Sequence, residues 1–144
     1  MKPKFSPRYL ETLFTPSRYE NLVEISSFLS GSVSFATEKE DYGLELPLFA
    51  LIEGLAWFAQ SMRSGAWTYF ESTPTERQGR MLEALESLAP DGFAAHYALG
   101  MSSWQDEVAM RKLDNWVEEH DSENNKWLWR IAEAHRTKWL RAVA

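Results

Sequence analysis

Few residues in this chain are of a type that binds metal or exchanges protons, and their spacing limits what each can do. Glu119-His120-Asp121-Ser122-Glu123-Asn124-Asn125 sets Asp121, Glu123 and Asn125 at the first, third and fifth positions of a calcium-loop pattern. The pattern then breaks, because Lys126 stands where the loop glycine belongs and Ala132 where a bidentate glutamate belongs. The same letters suit a helix N-terminus, so no metal is expected here. Two histidine ligands on one helix face need a spacing near four, but His96, His120 and His135 are 24 and 15 residues apart. Gly100-Met101-Ser102-Ser103-Trp104 lacks the second glycine of a nucleophile elbow. The 7 glycines stand singly, leaving no phosphate-cradling loop and no expected cofactor. Glu118-Glu119 and the pair Glu83 and Glu86 carry no mark of an acid and a base. One catalytic arrangement remains as the alternative reading: a small-molecule or metal-dependent enzyme using Glu53 and His135 in a bundle cavity.

The elements that would position these residues read as helices. The chain has 144 residues with 44% hydrophobic and 14% aromatic content, enough for one domain with its own core. It has no cysteine, which excludes a disulfide scaffold and fits a cytoplasmic setting. Met1-Lys2-Pro3-Lys4-Phe5-Ser6-Pro7 has no apolar segment behind it and predicts no signal peptide. Thr15-Pro16 predicts a cap and first-turn proline for a helix ending at Ser30-Gly31. Val33 and Phe35 alternate with serine, as in a short extended piece. Leu44 to Arg63 is nearly all apolar, and Glu45, Glu53 and Gln60 fall within about 80° as one narrow wet stripe. Those breaks, with Pro47, favour a central core helix over a membrane span.

Ser64-Gly65 ends that helix and Ala66-Trp67-Thr68-Tyr69-Phe70 follows as an aromatic knot, in which Trp67 and Phe70 should be buried. Thr73-Pro74-Thr75-Glu76 combines a cap, a proline and a capping-box glutamate for the next helix. Further helices are predicted from Phe93 to Leu99, from Trp104 to about Glu119 after a Ser102-Ser103 cap, and from Glu123 onward. On the last, His135 falls on the apolar face among Leu128, Ile131 and Trp139, where it reads as a hydrogen-bonded core residue. The predicted fold is all-α, a single-domain bundle of about five to six helices.

Charge supplies the functional signal. The net charge is −6, the first ten residues carry +3 and residues 126–144 carry +4, so the body from 11 to 125 carries −13. Such a body repels nucleic acid and suits a basic protein partner. Glu107, Asp114 and Glu118 project within about 40° of one another on their helix. Glu76, Glu83 and Glu86 form a comparable stripe, and both are candidate partner-binding surfaces. Arg111 and Arg80, each four residues after a stripe glutamate, offer intrahelical pairing instead. Trp129, projecting with Leu140 near Arg136, is a candidate apolar anchor. Packing against Phe5, Tyr9, Leu13 and Phe14 is its other reading.

Ile52-Glu53-Gly54-Leu55-Ala56-Trp57-Phe58 and Arg63-Ser64-Gly65-Ala66-Trp67-Thr68-Tyr69-Phe70 resemble the signature of a bacterial all-helical family. That family is named after DNA-mimic protein nineteen, and Glu83-Ala84-Leu85-Glu86-Ser87-Leu88-Ala89 matches its following helix. The resemblance covers roughly 44–140, with Gly65, Trp67, Tyr69 and Phe70 in its structural motif and Ser64-Gly65-Ala66 in place of Asn-Gly-Gly. It implies an all-α protein able to pair as a homodimer, which presents acid groups to a DNA-binding protein in place of phosphates. Related small acidic helical proteins act as toxin-immunity partners. The expected function is therefore a non-enzymatic inhibitor that binds and blocks a basic or nucleic-acid-binding protein, without contacting nucleic acid or membrane itself.

Overall fold

The apolar run after Glu45 carries few polar positions, and it forms the helix around which the others pack. The computed structural model describes residues 7–14, 18–32 and 35–143. Among these, nine helical segments and no strand are found. They are α1 (Pro7–Thr12), α2 (Tyr19–Ser30), α3 (Leu46–Ser64), α4 (Ala66–Ser72), α5 (Thr75–Leu88), α6 (Phe93–Ser103), α7 (Glu107–Glu119), α8 (Asp121–Ala134) and α9 (Arg136–Val143). The class is all-α as expected, but five to six helices undercounts it. The additional segments are short ones, α1, α4 and α9. The predicted Thr15-Pro16 cap, Phe5 and Val33 lie outside the described residues. Within them α2 begins at Tyr19, with Arg18 in extended conformation before it.

Helix α3 touches α2, α4, α5, α7 and α8. Its buried residues include Leu48, Phe49, Leu51, Leu55, Trp57 and Phe58, which surround the helix axis. Gly65 ends it at φ 95°, a left-handed conformation that strains any residue bearing a Cβ. That glycine lets the chain turn at once into α4.

Several helix ends depart from the predicted ones. Helix α5 starts at Thr75 without a side-chain cap, so the capping box does not form. Gln78, from inside α5, serves the end of the preceding helix, its buried Nε2 donating to the carbonyls of Phe70 and Thr73 at 3.0 and 2.8 Å. Helix α6 continues through Gly100 to Ser103, and α7 is capped by Asp106, which accepts from the N–H of Val108 and Ala109. The segment read as a 119–125 loop is largely helical, since α8 opens at Asp121. What was read as one terminal helix is two, broken at His135. His135 is therefore a half-buried C-cap residue rather than a member of a continuous apolar face.

Gly100 is set by packing. A Cβ there would lie 2.1 Å from Cε2 of Phe70, a fully enclosed ring wedged between α4 and α6. Gly100→Ala should cost about 2–3 kcal/mol through overpacking. Gly79, inside α5 with nothing within 4 Å of its Cβ position, is the opposite case. Gly79→Ala should stabilise by about 0.5–1 kcal/mol through helix propensity. Urea unfolding of both variants measures the contrast, and equal midpoints would mean that Phe70 does not press on Gly100.

Candidate functional site

Helix α7 turns Glu107, Met110, Arg111 and Asp114 toward α4, as a spacing of three and four requires. Helix α4 answers with Trp67 and Glu71, and a groove of about 590 Å³ opens between them. Trp104 and Asp106, on the turn that leads into α7, close one end.

Trp67 is 44% exposed, against the expectation that it is buried. The cause is local. Residues 66–72 form a helix, which brings Ala66, Tyr69 and Phe70 onto one face and leaves Trp67 roughly 100° away. Phe70 does enter the core as expected, 2% exposed, together with Tyr69.

Asp114 is only half-exposed, and its Oδ1 accepts from the backbone N–H of Ala66 at 2.7 Å. It satisfies one of the orphan donors of α4 from another helix. Asp114 is thus a structural cap as well as a charge, whereas Glu107 and Glu118 on the same stripe are exposed. On α5, Glu76, Glu83 and Glu86 are also exposed. Arg80 pairs with Glu83 at 2.9 Å and approaches Asp41 at 3.6 Å. Among the described residues the other carboxylates in ion pairs are Glu45, Glu123 and Glu133. Glu76, Glu86, Glu107 and Glu118 have no cation within 4 Å among the described residues, so Arg111 and Arg80 do not neutralise them in the way helical spacing allowed.

Trp129 is not an exposed anchor. It is 8% exposed and meets the edge of Phe14 at 6.2 Å between ring centroids. Arg136 lies over the ring of the same phenylalanine, 4.4 Å from its centroid. The predicted contact with the 1–14 segment is therefore the one that forms.

Beneath the surface lies a polar cluster that sequence patterning missed. Glu53, read as part of a wet stripe, is 2% exposed. Tyr42 donates to its Oε1 at 2.6 Å and Tyr69 to its Oε2 at 2.5 Å. Tyr97 stands 2.7 Å from the Tyr69 hydroxyl. Because Tyr69 spends its proton on the carboxylate, Tyr97 must donate to Tyr69. Burial, followed by the nearby Glu53 charge, pushes the Tyr42 and Tyr69 hydroxyls well above the usual phenol range. Burial pushes Tyr97 the same way. The signal available was a glutamate among apolar residues, which needs buried donors.

The structure does not unite Glu53 with His135. Among the described residues the side-chain hydrogen-bond partners of Glu53 are Tyr42 and Tyr69, and His135 ends α8. No group of three or more potential metal ligands comes together among the described residues. No described helix is long and apolar enough to cross a membrane. Comparison with protein families, curated proteins and solved structures finds no match.

Proposed function

We propose that this chain is a non-enzymatic acidic helical protein that binds and blocks a basic protein partner. The observation that carries this reading is the set of exposed stripe carboxylates, Glu76, Glu86, Glu107 and Glu118, without ion-pair partners among the described residues. Carboxylates left unneutralised project a negative field that steers a cationic surface into contact and repels an anionic one. A protein whose own ligand is nucleic acid carries such a cationic surface, and so does a basic toxin. The resemblance to the DNA-mimic-protein-nineteen family supports the first kind, and the immunity proteins it also resembles support the second. Pairing as a homodimer belongs to the same reading.

The test is capture from an extract of the source cell on immobilised protein. The chain should retain a basic protein that moderate salt releases. Glu107→Lys with Glu118→Lys, or Glu76→Lys with Glu83→Lys and Glu86→Lys, should slow its association and weaken its salt dependence. Both sets should leave the fold intact, since exposed helix charges contribute little to stability. Retention that survives both reversals and high salt would overturn the proposal.

A further inference from the structure

The groove between α4 and α7 combines two properties that suit one kind of ligand. One is a large aromatic side chain held in the open. Trp67 is 44% exposed, and its indole lies against Gly65, with Cδ1 3.2 Å from where a Cβ would stand. The backbone beneath it is fixed by the left-handed Gly65 and by the bond from Ala66 to Asp114. The ring is thus presented by a rigid element, which lowers the ordering cost of anything that stacks on it. The floor is apolar, formed by the buried Met110.

The other property is charge of one sign around that ring. Glu71, Asp106, Glu107 and Asp114 line the groove, with Arg111 the one cation among the described residues that line it. Asp106 and Asp114 each accept from backbone N–H groups, which leaves their negative charge in place. Arg111 is exposed and forms no ion pair among the described residues, so the groove acids stay available.

We infer that this groove seats an arginine side chain carried by a basic segment of the protein partner, an assignment that rests on the function proposed above and specifies where recognition centres. A guanidinium is flat and weakly hydrated, so it stacks on an indole while its N–H groups reach carboxylates at the rim. Carboxylates and guanidinium groups pair through two parallel hydrogen bonds. A lysine ammonium offers neither the plane nor the fork. An acidic or neutral segment would bring the groove carboxylates against like charge or leave them unpaired.

The probe is an acetylated tetra-arginine amide, with tetra-lysine and tetra-citrulline amides as controls, titrated into the ¹⁵N-labelled chain near physiological salt. The Trp67 indole N–H resonance, assigned by its loss in Trp67→Phe, should move with tetra-arginine, respond weakly to tetra-lysine and ignore tetra-citrulline. Trp67→Ala should weaken tetra-arginine binding about tenfold. Trp67→Phe should recover most of that loss, which separates stacking from any change of fold. Reversing Glu76, Glu83 and Glu86 to lysine, away from the groove, should change the affinity by less than about twofold. Equal binding of arginine and lysine peptides, or arginine binding indifferent to Trp67→Ala, would overturn the assignment. The captured partner separates the two proposals. A partner lost on carboxylate reversal but indifferent to Trp67→Ala defeats the groove alone, and one indifferent to both defeats both.

Discussion

Glu53→Ala should lower the free energy of unfolding by about 3–5 kcal/mol, measured by urea denaturation. Two costs combine. The buried side chain leaves a cavity between α3 and its neighbours. The Tyr42 and Tyr69 hydroxyls lose the acceptor they share, and Tyr69 is fully enclosed. Glu53→Gln keeps the volume and one acceptor oxygen, so it should lose about 1–2 kcal/mol. The pair Glu53→Leu with Tyr69→Phe removes the Tyr69 donor together with its acceptor, so although Tyr42 and Tyr97 each lose a partner it should be less destabilised than the sum of the single variants. A Glu53→Ala protein within about 1 kcal/mol of the parent would show that the carboxylate contributes little to joining its four elements.

The same cluster should make the fold sensitive to alkali. Tyr69 and Tyr97 have hydroxyls raised by burial, and half-buried Tyr42 is raised as well. Once pH exceeds the ordinary phenol value near 10, the unfolded chain releases protons that the native chain keeps. This contribution to stability is complete below that value and is lost as pH rises. The two enclosed tyrosines together should give a loss of about 2–3 kcal/mol per pH unit, with a smaller part from Tyr42 because solvent reaches it. Urea midpoints at pH 8, 10 and 11 would show the decline. Tyr69→Phe should flatten it while costing some stability at pH 8. A slope unchanged in Tyr69→Phe and Tyr97→Phe would place the alkaline transition elsewhere.

Much of the fold was legible because it follows from patterns that act locally. Gly65 after an apolar helix, and Asp91-Gly92 before Phe93, mark chain reversals through backbone conformation alone. Gly100 misled the boundary of α6 for the opposite reason. Glycine is there to admit Phe70, a residue thirty positions away, and short-range reading takes any glycine near a helix end as a stop. The Thr73 cap does not form, and the polar contact at that junction is one that short-range reading does not see: Gln78, folded back from inside α5, donates to two carbonyls at the end of α4.

The candidate site was legible in part. Helical spacing set Glu107, Asp114 and Glu118 on one acidic stripe, and the first two of these line the groove, which itself had no sign in the pattern. Which tryptophan faces solvent was not legible. Trp129 and Trp67 exchange their expected roles, one covered by Phe14 and the other turned out by the short helix that holds it. Both outcomes depend on whether a brief segment adopts regular structure, which propensity decides weakly. Glu53 was misread because helical phase gives direction but not depth. A polar residue in phase with Glu45 and Gln60 can still be capped from outside by another element, here the tyrosine at 42.

The indole of Trp139 donates to the carbonyl of Ile25 at 3.2 Å, across a separation of 114 residues. Helix α9 also packs on α1 and α2, and Phe14 meets the edge of Trp139. During synthesis on the ribosome, Leu22, Ile25 and Leu29 therefore emerge long before the helix that completes their cover. At the usual rate of about 5–20 residues per second, that interval lasts roughly 6–23 seconds. A nascent chain halted before residue 136 leaves an apolar patch open to chaperones and proteases, although α3 and its nearer neighbours can already pack. The early helices thus wait on the late one.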